Sequence, residues 1–534
     1  YGPLVDVRYG SGEGENAFEY SGLLCFVLLE HEAIGCLTSP GTGGARSANY
    51  NGGFAYRVRI GEQTSASVVI DQTGYAAPSL SAIEGDGSSD ASTLGGQRVR
   101  LTGTNLPPYD LSRTVVSYTN GEQTFVADGC TLRHQWSDES NPLSQFLDAN
   151  GDEADEGAPN TTAVVTSRRT ATPPTTVEGA VSGLVYAPEA SFLDCRTVAS
   201  TGAALQWEVV VNGQASAPPT SSTRPPRVTS VSGYDVNASR TEGRTVFHVH
   251  GQEFGPVGLG SPSIRVTYGP TGREYEADGC EVTSVVFLSG AASATSDDSN
   301  HNATITCASV AGIGSNHAVL VTVSGQESDL FMSCTRGAAA LFSYSGPEIL
   351  AVSQSVINTG SNREIQIFGH NFGPPPGQAN HGLHRQPLEV NFGGGNVSSV
   401  RHVSHVEVRF VVPDWQVGTG KPIVVTVGGQ VSNAVSVSFA PPTVLDVGQS
   451  EEYRSIYDGT TIYVHGTSFG ASAATGRVLI DGAPCVVNSW THTRIECETL
   501  DLSGTLEVIT GPQRSTPLND FSVEKFLVKP RVEG

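Results

Sequence analysis

Five times along the chain an alternating apolar strand runs into a turn of Gly or another small residue, followed by Gln, one variable residue and Ser. The copies are Val58-Arg-Ile60-Gly61-Glu-Gln63-Thr-Ser65, Val209-Val-Val211-Asn-Gly213-Gln214-Ala-Ser216, Val321-Thr-Val323-Ser-Gly325-Gln326-Glu-Ser328, Val425-Thr-Val427-Gly-Gly429-Gln430-Val-Ser432 and Val508-Ile-Thr510-Gly511-Pro-Gln513-Arg-Ser515. Period-2 strands around a Gly turn are the sequence form of a tight β-hairpin. A hairpin recurring at such spacing predicts a string of similar small domains and excludes a single large core.

Two further landmarks keep step with the hairpin. Before each of four modules stands a Pro leading alternating apolar residues: Pro78-Ser-Leu80, Pro226-Arg-Val228, Pro347-Glu-Ile349 and Pro442-Thr-Val444. Pro at the first residue of a strand is where its missing N–H costs least. A second strand then runs into a turn: Val99-Arg-Leu101-Thr-Gly103-Thr-Asn-Leu106, Val249-His-Gly251-Gln-Glu-Phe254-Gly255, Ile367-Phe-Gly369-His-Asn-Phe372-Gly373 and Val464-His-Gly466-Thr-Ser-Phe469-Gly470. The Gly-x-x-Phe-Gly form suits permissive backbone dihedrals, with the ring folded back to plug the end of a sandwich.

These motifs resemble the IPT/TIG domain, the immunoglobulin-like fold of plexins, some transcription factors and many cell-surface proteins. The resemblance spans nearly the whole chain and implies an all-β, elongated array of tandem β-sandwiches. The expected modules are 1–77 (lacking its opening strands), 78–225, 226–346, 347–441 and 442–529, with 530–534 opening a further one. At 534 residues the chain is long enough for four or five domains of ordinary size, and 62 Gly, 30 Pro and one Met favour short strands and turns.

Nine cysteines fall into local pairs: Cys25 with Cys36, Cys130 with Cys195, Cys280 with Cys307 and Cys485 with Cys497, leaving Cys334 over. Pairing within modules is how disulfides staple secreted β domains. N-glycosylation sequons stand at Asn160, Asn237, Asn302 and Asn396. Asn160 and Asn302 are expected in polar excursions, Asn237 and Asn396 in turns. Residues between Cys130 and Cys195 include an acidic stretch and a Thr/Pro-rich one, a composition that buries too little apolar area to form a core.

Other candidate chemistry is weak. Asp148, Asn150 and Asp152 start like a calcium loop, but Glu153 and Pro159 stand where an EF-hand needs Gly and Glu. His248 and His250 share a strand face, and His370, His381, His384, His402 and His405 gather in the fourth module without a metal-ligand spacing. Trp136, Trp207, Trp415 and Trp490 are read as core residues before sugar platforms. No nucleophile elbow or phosphate-cradling loop is present, so no catalytic residue and no cofactor is expected.

A net charge of −23 repels nucleic acid, and no stretch has the roughly 20 apolar residues of a membrane span. The expected protein is a non-catalytic extracellular structural glycoprotein. It would be a subunit of a fibre or surface layer, self-associating head to tail into a homopolymer and carrying covalent glycans. The alternative is a cell-surface adhesin or receptor ectodomain that binds protein or glycan.

Overall fold

The computed structural model describes residues 5–10, 18–44, 53–107, 111–135, 162–165, 190–287, 301–331, 341–360, 363–375, 388–414, 416–449 and 460–522. Over these it is β-structure except for a single 3-10 turn at Ala473–Thr475.

The third module shows the plan. One sheet orders the strands Arg227–Ser232, Val246–Gln252, His301–Ala308 and Asp278–Phe287. The other orders Tyr275–Glu276, Ile264–Gly269, Ala318–Val323 and Gln326–Glu327. All these pairs are antiparallel, and alternate residues from both sheets meet in one core: Phe247, Val249, Val266, Tyr268, Val282, Ile305, Val319 and Val321 are fully buried. The second, fourth and fifth modules repeat this arrangement around Trp207, around Phe392 with Phe410, and around Phe469 with Trp490.

The Pro-led opening strand carries a bulge at the same place in all four: the register shifts between Leu80 and Ala82, Val228 and Ser230, Ile349 and Ala351, and Val444 and Asp446. One unpaired residue there turns the strand so that it both starts the sheet and leaves it. Beyond the bulge the chain crosses over and pairs in parallel with the end of its own module, as in Val356 with Ser438 and Ile357 with Phe439. Isolated bridges Ala91 to Thr223 and Ser239 to Tyr344 do the same in the second and third modules.

The glycines of the Gly-x-x-Phe-Gly turn divide the work differently from the sequence expectation. A Cβ on Gly103, Gly251, Gly369 or Gly466 would lie 1.9–2.1 Å from the carbonyl oxygen of Ser79, Arg227, Glu348 or Thr443. That first glycine is needed for close approach of the opening strand. The left-handed residue is the one before the Leu or Phe: Asn105, Glu253, Asn371 and Ser468, with φ of 56–62°. The final glycines, Gly255, Gly373 and Gly470, are left-handed too, and Phe254, Phe372 and Phe469 are 0% exposed under the first.

The first module is different. Among the described residues its sheet of Val5–Gly10, Tyr20–Ser21, Gly53–Ile60, Gln63–Thr64 and Val68–Asp71 is accompanied by the pair Leu23–Leu29 and Ala33–Leu37. Its buried core is reduced to Tyr9 and Phe54, with Tyr20, Tyr56 and Tyr75 packed against them.

Candidate functional site at the module junctions

The closing hairpins explain their own sequence. Serine hydroxyls of Ser65, Ser216, Ser328, Ser432 and Ser515 accept the N–H of Val58, Val209, Val321, Val425 and Val508 at 2.9–3.1 Å. The hairpin's return strand is only two residues long, so the serine supplies the acceptor that the ladder no longer provides. At the turns, Asn212 and Gly213, Ser324 and Gly325, and Gly428 and Gly429 all have positive φ. That is the dihedral pattern of a two-residue hairpin turn.

The glutamine between turn and serine reaches out of the hairpin. Gln214 Nε2 donates to the Tyr75 carbonyl at 3.1 Å, Gln326 to Thr223 at 2.8 Å, Gln430 to Tyr344 at 3.0 Å and Gln513 to Phe439 at 2.7 Å. Each acceptor stands three residues before the Pro that opens the glutamine's own module. Tyr344 and Phe439 are also buried core residues of the module before. One amide thus holds the last core residue of one sandwich against the closing hairpin of the next.

Around this clasp the contacts repeat. The hairpin turn lies on a loop of the preceding module: Asn212 Nδ2 donates to the Thr42 carbonyl at 3.4 Å and the Ser324 and Thr201 hydroxyls meet at 2.6 Å. Any Cβ on Gly428 would press within 2.8 Å of Gly314 N, and one on Gly511 would meet Val417. From the other side a threonine of the preceding module meets the Phe-Gly turn. Gly255 N–H donates to Thr93 Oγ1 at 3.3 Å and Gly470 N–H to Thr359 Oγ1 at 3.0 Å, while Thr241 Oγ1 bonds Nδ1 of His405 at 3.0 Å, the residue whose carbonyl accepts the Phe372 N–H. Sequence reading missed these threonines; the signal was a Thr one or two residues before a Gly, in Thr93-Leu-Gly95, Thr241-Glu-Gly243 and Thr359-Gly360.

The second-to-third junction adds charge. Glu253 is 3% exposed, and its carboxylate accepts from Thr93 N at 2.8 Å and Thr93 Oγ1 at 2.9 Å while Arg224 stands 3.6 Å away. His301 Nε2 faces the Glu253 N–H at 3.4 Å, and burial holds this imidazole below its ordinary pKa. At the other end of the third module His317, 1% exposed, donates from Nε2 to the Ile313 carbonyl at 3.1 Å, and burial pushes its pKa down to about 4.

The remaining sequence candidates divide as follows. Disulfides join Cys25 to Cys36, Cys130 to Cys195, Cys280 to Cys307 and Cys485 to Cys497. Bonds of this kind in separate modules suit an oxidising, extracellular setting. Asn237 and Asn396 are exposed, the latter on a two-residue strand where Asn391 Nδ2 bonds its side chain. Asn302 corrects an expectation: it sits in strand His301–Ala308, not in a polar excursion, with its side chain on the exposed face. His248 and His250 do share a face, and their rings bond Thr306 and Thr304. Trp207 is fully buried and Trp490 donates to the Phe469 carbonyl from inside its core. Asn160, Asp148, Asn150, Asp152, Cys334, His381, His384, Trp136, Trp415 and 530–534 lie outside the described residues. Among the described residues no group of three His, Cys, Asp or Glu is placed to hold a metal, and no helix is long and apolar enough to cross a membrane.

No curated protein matches the sequence. Among solved structures, the plexin A4 full extracellular region is similar at 10% identity and a TM-score of 0.17, over 83% of this chain and 48% of that one. The chain thus spans about half the length of the plexin structures it matches. An ICAM-5 D1–D4 ectodomain fragment is similar at 12% identity and a TM-score of 0.19, over 84% of this chain and 100% of that one. SGBP-B from a xyloglucan utilization locus in Bacteroides uniformis is similar at 13% identity and a TM-score of 0.16, over 55% and 96%. The family model that matches is that of the IPT/TIG domain, at residues 347–439 and 453–523, so the fourth and fifth of the chain's tandem immunoglobulin-like modules are similar to IPT/TIG domains.

Proposed function

We propose that the protein is a non-catalytic structural element of the extracellular space, a glycosylated subunit of a fibre or surface layer built from IPT/TIG modules placed head to tail. The observation that carries this reading is the glutamine clasp, made with the same partners at four successive junctions. A contact that recurs with one geometry sets a constant step from module to module, and a constant step is what a propagating, heterologous assembly requires. The acidic surface keeps neighbouring assemblies apart, and exposed Asn237, Asn302 and Asn396 are open to sugar.

Electron microscopy of the purified protein tests it. Long fibres with an axial repeat are the expected result. Isolated rods at every concentration, together with saturable binding to cells, would move the assignment to an adhesin or receptor ectodomain.

A further inference from the structure

We infer that the outer face of the second module's disulfide-bonded sheet is a binding site for a sulfated polysaccharide. Four arginines converge there around an open hollow of about 400 Å³: Arg98 and Arg100 on strand Arg98–Thr104, Arg133 on Asp128–Gln135 and Arg196 on Ala190–Arg196. Two carboxylates, Asp194 and Glu84, share the lining, so the hollow keeps an excess of two positive charges in a chain whose net charge is −23. A local reversal of sign attracts anions that the rest of the surface repels.

The fold does not require these arginines. Arg98 and Arg196 stand directly opposite each other on neighbouring antiparallel strands, and the same two positions are Val246 and Ala308, Glu364 and Val411, and Thr461 and Glu498 in the next three modules. Like charges so placed repel, and among the described residues neither guanidinium has a carboxylate within ion-pair distance. Asp128 lies opposite Arg196 in the register, but its carboxylate accepts the Gly129 N–H at 2.8 Å. One Arg196 nitrogen donates to the Gly96 carbonyl at 2.9 Å, and the rest of its fork is open to a ligand. The other two arginines are held in place: both reach Asp194 at 2.8 Å, and Arg100 lies 4.1 Å over the Phe192 ring. Guanidinium groups fixed in this way lose little freedom on binding.

A carboxylate offers two oxygens, and Asp194 already fills that role between Arg100 and Arg133. The opposed pair Arg98 and Arg196 calls for an oxyanion with more acceptors, and a sulfate ester presents three terminal oxygens to two forks. Two sulfates on neighbouring sugars balance the two surplus charges, and the hollow is of the size that small-ligand sites have. The inference rests on the extracellular setting of the proposed function but not on the fibre, so its test does not depend on whether fibres form.

The full chain is titrated calorimetrically with a short dextran sulfate oligosaccharide. Saturable one-to-one binding that weakens as salt is raised is expected, with none for unsulfated dextran. Arg98→Val with Arg196→Ala, which copies the third module, should lower affinity about tenfold or more and leave melting unchanged. Arg98→Gln alone, at an exposed position, should lower it about threefold and carries the test if the double variant does not fold. Arg514→Ala in the fifth module should bind as the native chain does. No binding, full affinity in the Arg98 variants, or an equal loss in Arg514→Ala overturns the inference. So does equally tight binding of inorganic sulfate, which would assign the hollow to a free ion, or of a polyglutamate peptide, which would assign it to an acidic protein.

Discussion

His317 sits among Tyr268, Tyr275, Phe342 and Tyr344 with ring centroids 5.4–6.4 Å away, and its Nδ1 has no partner. A proton on Nδ1 would be a buried charge without an acceptor; Glu274 opposes this only in part. Because burial favours the neutral ring in the folded module, the unfolded chain takes up the proton first as pH falls. The stabilisation is complete above pH 6.5 and is withdrawn between 6.5 and about 4, amounting to about 3 kcal/mol at the acid end. His301, shifted in the same sense by burial, adds to it. Denaturation of the full chain, followed at Tyr and Trp, should show the third module losing stability over that window, and His317→Gln should flatten the loss. Among the glycines, Gly369→Ala puts a Cβ 1.9 Å from the Glu348 carbonyl and should cost the fourth module roughly 2–4 kcal/mol. Faster hydrogen exchange over residues 364–370 is the readout, and Gly448→Ala, where nothing lies within 4 Å and φ is not left-handed, is the control.

At the scale of elements, the closing hairpin and the Pro-led strand were legible because their constraints are local. An alternating strand, a left-handed turn and a Ser that completes the ladder all lie within eight residues, as in Val425 to Ser432. What the glutamine grips was not legible, because Gln430 and Tyr344 are 86 residues apart and the acceptor is a backbone carbonyl, which any residue supplies. The threonines failed for the same reason: Thr359 meets a peptide N–H 111 residues away. Asn302 was misplaced because a Ser- and Asp-rich stretch just before it masks an alternation that starts at His301, whose side chain is 2% exposed. The clasp predicts a separation of effects. Gln430→Ala removes a bond worth about 1 kcal/mol and should barely move the melting of either flanking module. It should, however, broaden the distribution of angles at that junction, measured by X-ray scattering or by distance between spin labels on the two modules.

Across the whole molecule, the stapling is uneven. In the loop-closure model the disulfides of the second, third and fifth modules are worth roughly 3–4 kcal/mol each, while the fourth has none and holds by packing alone. Reduction should therefore lower the melting of those three and leave the fourth unchanged, a contrast that hydrogen exchange resolves module by module. Enzymatic deglycosylation of the native protein should reduce its mass if two or more of Asn237, Asn302, Asn396 and Asn160 carry sugar; an unchanged mass argues against the secretory pathway. The parallel pairing that ties the crossover segment to the end of its own module in the second, third and fourth modules has a mechanical meaning. Tension along the chain pulls Val356–Ile357 and Ser438–Phe439 past one another lengthwise, so their bonds are loaded together in shear and not peeled one by one. Once that lock slips, the fourth module can pay out its whole contour. In the second, the Cys130–Cys195 bridge withholds 65 residues, about 220 Å of extended chain, so a stretched molecule yields in steps of unequal length that reducing agent would even out.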